Sequence, residues 1–403
     1  IAWIFLALLG AVVTSRIKRM REGGYGGAGS LAAKLDTSVV ESILNMSKET
    51  RKVLAAVETG TSNHLLVPTK LISKISGVKG GAIKHHISEI HRRKFVYHCA
   101  KDYDGYRLTY RGLDALAILT LISRGVLTSI GPCIGRGKES DVYLGYGREQ
   151  NQMVVIKIHR LGRISFMKAR EKRDYTKGEK SNWLLVSKIA ASKEFRNIRA
   201  LYGCDFPVPQ PIDHNRHIVV MEYKAEKLLN NVASLRRPQR TFGIIMEIVR
   251  KFLAHGLIHG DLNEFNLLIE PRSGNVTVID FPQMISKQHS EAAEWLSRDV
   301  DCVVKFFKKR FGKEYNATID LEQSEVDTGE DPAAAKAQRL DRQLRVSGCY
   351  GDDHQSAAYE RHRKELLNSN IADDNEEAFQ LQDVDLDALW DDFAKREKRE
   401  GRE

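Results

Sequence analysis

Apolar positions along this 403-residue chain change their spacing several times, and the changes mark its parts. From residue 36 they recur every three or four residues through DTSVVESILNM and KETRKVLAAVETG. That period predicts amphipathic helices, the first opened by Asp36 as an N-cap and the second ended at Gly60. LISKISGVKGGAIKHHISEIHRRKFV carries a helical pattern on both sides of a tight glycine turn, which predicts two helices. FVYHC and YRLTY flank KDYDG, predicting a hairpin with Asp104-Gly105 at its tip. A further helix runs to about Ser123. Helices followed by a two-stranded wing form a winged helix-turn-helix, whose exposed recognition helix suits a nucleic-acid backbone. Lys79, Lys84, His85, His86, His91, Arg92 and Arg93 stand on or beside that helix, and Lys84, Arg92 and Arg93 are the candidate phosphate contacts. The bland alternative is a basic solvated helix packed against the following domain. No cysteine pairs with the histidines, so a zinc site is not expected.

Beyond about residue 125 the pattern turns to short β-prone runs. IGRGKESDVYL (134–144) is followed by MVVIKIHR, where Lys157 interrupts a strongly apolar alternating strand. Gly135 and Gly137 let backbone N–H groups approach phosphates without a Cβ in the way, and Lys138 and Ser140 belong to the same loop. FPVPQPID marks a turn into the sheet, and HIVVMEYKAEKL reads as a strand and hinge over an adenine ring. Met221 would line that pocket, with the backbone of Glu222 and Tyr223 supplying donors and acceptors.

HGLIHGDLNEFNLLI, with Asp261 and Asn266 five residues apart, precedes VTVIDFPQM with Asp280. Two carboxylates and a carboxamide at this spacing, between apolar β-prone runs, are the parts of a phosphoryl-transfer site. A triphosphate concentrates negative charge, and bound divalent metal with fixed donors neutralises it as the bond breaks. The alternative is that these are ordinary turn residues. Two departures from protein kinases matter. Ser140 stands where a third loop glycine belongs, and Pro282 replaces the glycine that lets the metal-binding segment flip. QMISKQHSEAAEWLSRDVDCVVKFFKKRF follows, which becomes amphipathic helix within a few residues and contains no Ala-Pro-Glu triplet. It leaves no room for a long activation loop or for peptide-docking helices.

The strings GKESDVY, IKIHRLGRISF, HGLIHGDLNEFN and IDFPQM resemble the RIO family of atypical serine/threonine kinases, in its winged-helix-bearing branch. The resemblance covers roughly 34–313 and is weaker over 225–250. It implies a winged-helix domain (34–124) and an α/β two-lobed kinase-like core (125–315, N-lobe 125–220, C-lobe 225–315) without activation loop or substrate-binding helices. It implies ATP and Mg2+, Lys157 as the ATP-binding lysine, Asp261 as proton acceptor, and Asn266 and Asp280 as metal ligands. Glu194 would partner Lys157, with Glu171 and Glu179 in the same interval as alternatives. In eukaryotes that branch is associated with maturation of the small ribosomal subunit, which implies a pre-40S particle as partner and a cytoplasmic location, with shuttling through the nucleus as a variant. Whether the phosphoryl group goes to a Ser/Thr hydroxyl, to water, or through an enzyme carboxylate stays open, and the missing docking helices favour slow ATP turnover. The alternative is an RNA-binding assembly factor in which the nucleotide only switches conformation.

Charge and cysteine content agree with this picture. A formal net charge of +10 favours an anionic partner, nucleic acid being the commonest. The five cysteines are scattered without CxxC spacing and read as reduced thiols. IAWIFLALLGAVV is too short to span a bilayer comfortably, and its positive charges follow it. Residues 1–33 are therefore read as a fragment or gene-model artefact, not a membrane address. The basic stretch between Lys157 and Glu194 predicts a loop over the nucleotide entrance. The acidic region 316–403 predicts a largely disordered tail, in which Leu381, Val384, Leu386, Leu389 and Trp390 could fold onto a partner.

Overall fold

The computed structural model describes residues 37–61, 64–100, 104–137, 139–148, 152–161, 183–312, 315–319, 321 and 340–344. Asp36, the N-terminal extension, Lys138, Glu171, Glu179, most of the basic loop, Cys349 and the tail after residue 344 lie outside them. Among the described residues no helix is long and apolar enough to cross a membrane.

Helices α1 (Thr37–Leu44), α2 (Lys48–Gly60), α3 (Thr69–Ser76) and α4 (Gly81–Arg92) precede the hairpin β1 (Val96–Cys99) and β2 (Gly105–Leu108), and α5 (Tyr110–Ser123) closes this part. Ser47 caps α2 by accepting from the Thr50 amide at 3.1 Å. α3 ends at Gly77, whose φ of 72° only glycine adopts freely. The wing differs from expectation at one point. Gly105 pairs with Cys99 in the ladder and does not form the tip. Its glycine is required by a neighbour, since a Cβ there would sit 2.8 Å from Leu66 Cβ where the 64–67 segment bridges Val67 to Tyr106.

The next part is a five-stranded antiparallel sheet in the order β3-β4-β5-β7-β6. Its strands are β3 (Ser129–Arg136), β4 (Ser140–Tyr146), β5 (Met153–His159), β6 (Pro211–Asn215) and β7 (Ile218–Glu222), with helix α6 (Trp183–Gly203) between β5 and β6. Strand alternation shares this sheet between two cores. Val154, Ile156, Ile158, Ile218 and Val220 pack with the winged-helix residues. Val219 and Met221 point the other way and join the core of the second lobe. Lys157, paired with Val219, lies on that second face.

The second lobe comprises β8 (Lys227–Leu228), α7 (Pro238–Ala254), β9 (Leu257–Ile258), β10 (Leu267–Ile269), β11 (Val276–Val278), β12 (Ile285–Ser286) and α8 (Ala292–Phe311). The helix after Pro282 thus begins only at Ala292, because Ile285–Ser286 first pairs with Leu257–Ile258. Part of the region read as tail is also folded. Leu340–Leu344 forms helix α9, its two leucines are buried, and Ser286 Oγ donates to Asp341 Oδ2 at 2.7 Å. Five residues burying two leucines are too short a signal to stand out in a strongly polar stretch.

Two buried charge clusters join the winged helix to the sheet and to α6. Glu58 on α2 accepts from Arg216 Nε at 3.0 Å and Nη2 at 2.8 Å, and lies 2.6 Å from Lys188 Nζ on α6. Asp114 on α5 receives a bidentate pair from Arg160 at 2.6 and 2.8 Å, and lies 2.7 Å from His217 Nε2. Burial by itself raises both carboxyls, but the cations prevail and hold each at about 2. Because the folded values lie below the ordinary 4.5 and 3.8, this stabilisation is present above those values and is lost as pH falls toward about 2. Glu58→Gln removes the buried negative charge that balances Arg216 and Lys188 and is expected to cost about 3 kcal/mol. Chemical denaturation across pH 2 to 5 checks this: wild type should lose stability faster than the variant as pH falls.

Candidate active site

Lys157 is where the two lobes meet. Its strand places the side chain in the cleft, and Nζ lies 2.6 Å from Glu194 Oε1 and 2.7 Å from Asp280 Oδ1. Glu194 stands on the buried stripe of α6 with Ala191, Asn197, Ile198 and Leu201, so helical period alone aims it inward. Burial of Lys157 favours the neutral amine, yet Asp280 and Glu194 outweigh it and hold the ammonium above its usual range. Burial likewise opposes ionisation of Glu194, while Lys157 and His159 hold it at about 2. His159 Nε2 sits 2.8 Å from the other Glu194 oxygen. Lys157 and Glu194 are therefore both ionised at neutral pH.

Asp280 adopts φ 71°, a left-handed conformation unusual for a residue with a Cβ. The strain places its carboxylate toward Lys157 and is held by Phe281, whose buried ring is wedged against His259 and whose carbonyl accepts from Asn197 Nδ2 at 3.3 Å. Asn266 is tied to the same segment, its carbonyl accepting from the Ile279 amide at 3.0 Å. Asn266 Nδ2 donates to Asp261 O at 2.8 Å, which leaves Oδ1 as the atom it offers a cation. Asp280 and Asn266, on segments joined by the hydrogen bond from the Ile279 amide, both offer hard oxygen donors, a donor chemistry that suits Mg2+.

Asp261 sits in a loop fixed from beneath. Asp299 on α8 accepts from the Gly260 amide at 2.7 Å and the Leu262 amide at 2.9 Å. Its burial raises the carboxyl to about 6, despite those two amides. His259, buried and held near 4, stays neutral at pH 7, and its Nδ1 accepts from the Asp261 amide at 3.3 Å. Sequence reasoning missed Asp299, His159, Gln283 and Arg298. Asp299 did carry a signal, for it interrupts the apolar stripe of Leu296, Val300, Val303 and Phe307.

The remaining predicted positions divide. Gly135 lies in β3 and Gly137 begins the turn into β4, its amide donating to Ser140 O at 2.8 Å. Neither glycine has a positive φ, and a Cβ at either would meet nothing nearer than 3.5 Å. No internal contact demands glycine there, which leaves clearance above the loop as its use. Met221 is buried at the end of β7. The amides of Glu222 and Tyr223 are not free donors as expected: they donate to Gln210 O at 2.9 Å and Met153 O at 3.3 Å. In the winged helix, Lys84 and Arg92 are exposed on α4. Arg93 is a correction, since its guanidinium donates to Glu89 at 2.6 Å and to the Ser42 carbonyl and so cross-links helices. His85, His86 and Glu89 bring ligand-type atoms within 4.8 Å, but Thr50 and Arg93 already engage Glu89 and Thr50 engages His86.

Comparison with known proteins follows this division of the chain. The RIO domain matches residues 141–320 and the Rio2 N-terminal domain matches 43–124. The chain is similar to the serine/threonine-protein kinase rio2 of Dictyostelium discoideum, 47% identical over 66% of this chain and 51% of that one. It therefore spans about half the length of that relative. The rio2 protein of Schizosaccharomyces pombe is 38% identical over 81% of this chain and 92% of its own. A Rio2 kinase structure from Chaetomium thermophilum, described as an ADP/Mg2+-phosphoaspartate complex, superposes with a TM-score of 0.63 at 35% identity, covering 85% of this chain and 99% of that one. With both domains matched in order and nearly the whole fission-yeast protein aligned, the chain belongs to the Rio2 family of RIO kinases.

Proposed function

We propose that this chain is an ATP- and Mg2+-dependent phosphoryl-transfer enzyme, a serine/threonine kinase by family, whose main output is slow ATP turnover during maturation of the pre-40S small ribosomal subunit. The observation that carries the reading is Lys157 held between Glu194 and Asp280, next to a loop that presents Asp261 and Asn266. Lys157 brings a fixed positive charge to the phosphates, and Glu194 keeps it in place. Asn266 and Asp280 would hold Mg2+, which supplies charge neutralisation on the phosphate oxygens. Asp261 orients the attacking group and takes its proton. The relative from Chaetomium contains phosphoaspartate, which favours a second route for this chain. A site carboxylate attacks the γ-phosphorus, ADP leaves, and water then cleaves the acyl phosphate to free phosphate.

Asp261→Ala should abolish turnover while leaving nucleotide binding, because Asp261 does not hold the nucleotide. Asp280→Ala should weaken Mg2+-dependent binding as well. Lys157→Ala should lower turnover on the order of a hundredfold or more. Steady-state hydrolysis with a fluorescent-nucleotide titration separates these effects. Normal turnover in the Asp261 or Lys157 variant would place the chemistry elsewhere.

We assign the RNA contact of this reading to the exposed face of α4. Replacing Lys84 and Arg92 with Ala should weaken binding alike across sequences and reduce the salt slope by up to about 0.9 per contact for duplex, or about 0.7 for single strands. Arg93→Ala should instead lower thermal stability. Unchanged RNA affinity and salt slope in the double variant would make α4 a packing surface.

A further inference from the structure

Asn263, Asn266, Gln283 and Arg298 approach the carboxylate of Asp261. Two belong to its own loop: Asn263 Nδ2 lies 3.2 Å from Oδ1 and Asn266 Nδ2 lies 3.3 Å from Oδ2. The other two come from elsewhere in the fold. Arg298 on α8, stacked over the Trp295 ring, reaches to 3.5 Å from Oδ1. Gln283 Nε2 donates to Oδ2 at 3.1 Å, the shortest of these four contacts. Gln283 follows Pro282 and lies three residues after Asp280.

The position of Gln283 is tightly determined. Ile285 pairs with Ile258, so the loops carrying Gln283 and Asp261 leave from one antiparallel pair. Gly260 closes the gap between them: its φ is 80°, and a Cβ there would lie 2.6 Å from the Gln283 carbonyl oxygen. Any other residue at 260 would force the two loops apart. On the far side Pro282 restricts the backbone directly before Gln283. A segment that flips would carry this side chain away, whereas here it is built to stay.

We infer that Gln283 is a positioning residue for the transfer reaction, its donated hydrogen bond fixing the orientation of the Asp261 carboxylate relative to Asp280 on the same segment. This rests on the reading of Asp261 as the group that orients and deprotonates the attacking group. Gln283 touches neither nucleotide nor metal in this role, so its effect falls on kcat and not on nucleotide affinity. Space-filling alone would be preserved by an isosteric side chain, which distinguishes the two roles.

The test uses the full chain, with ATP turnover at saturating nucleotide, a separate fluorescent-nucleotide titration, and thermal melting to verify folding. Gln283→Ala should lower kcat roughly ten- to a hundredfold with nucleotide affinity within about twofold of wild type. Gln283→Glu keeps the shape but removes the donor and adds a like charge, and should lose at least as much. Wild-type kcat in Gln283→Glu would overturn the proposal, as would losses that appear in nucleotide affinity instead of kcat. Asp261→Asn, measured alongside, separates the two levels. Normal turnover there would remove the underlying reading, while an inactive Asp261→Asn with unimpaired Gln283 variants would remove only the role of Gln283.

Discussion

The architecture of this chain turns on one ammonium group between two carboxylates. Lys157 comes from the sheet, Glu194 from α6 and Asp280 from the segment after β11, so a single half-buried cation ties three elements to one point. Burying Glu194 costs desolvation, and the arrangement persists because the opposite charge is within hydrogen-bond distance. Among the described residues, removing Lys157 would leave Glu194 beside His159 as its remaining ion-pair partner. The candidate nucleotide site is thus also a structural joint.

The winged helix takes part in that joint from behind. Glu58 grips Lys188, six residues before Glu194 on the same helix, and Asp114 grips Arg160, three residues after Lys157. The sheet carries apolar residues on both faces because one face completes the winged-helix core and the other the second lobe. This explains why MVVIKIHR reads as nearly continuous apolar strand. It also explains why Arg160, which sequence reading left inside a basic loop, is buried.

Legibility followed the range of the interactions. Asp261 and Asn266 stood out because their relation is local, five residues within one loop, and β-prone runs on either side fixed its ends. The winged helix was readable because its helical periods and hairpin alternation are strong. Glu194 needed the resemblance, since a distance of 37 residues to Lys157 carries no geometric information by itself. Arg93 was misread because an exposed-looking terminal arginine and one bonded to a carbonyl 51 residues away are identical in sequence. Gly105 looked like a turn glycine, yet the space beside Leu66 is what requires it. The same limit hid Gln283, and it left the stripe-breaking Asp299 without a visible role, since both roles exist only once α8 and the Asp280 segment close on the Asp261 loop.

On the proposed function, this joint serves transfer of the γ-phosphoryl group, chiefly to water. Single-turnover reaction of γ-labelled ATP with excess purified protein, with and without precursor small-subunit particles, tests it most directly. The expected result is Mg2+-dependent appearance of the label mainly as free phosphate, accelerated by the particles. Label that stays in ATP under every condition, or passes almost entirely to Ser or Thr of the particle proteins, would contradict it.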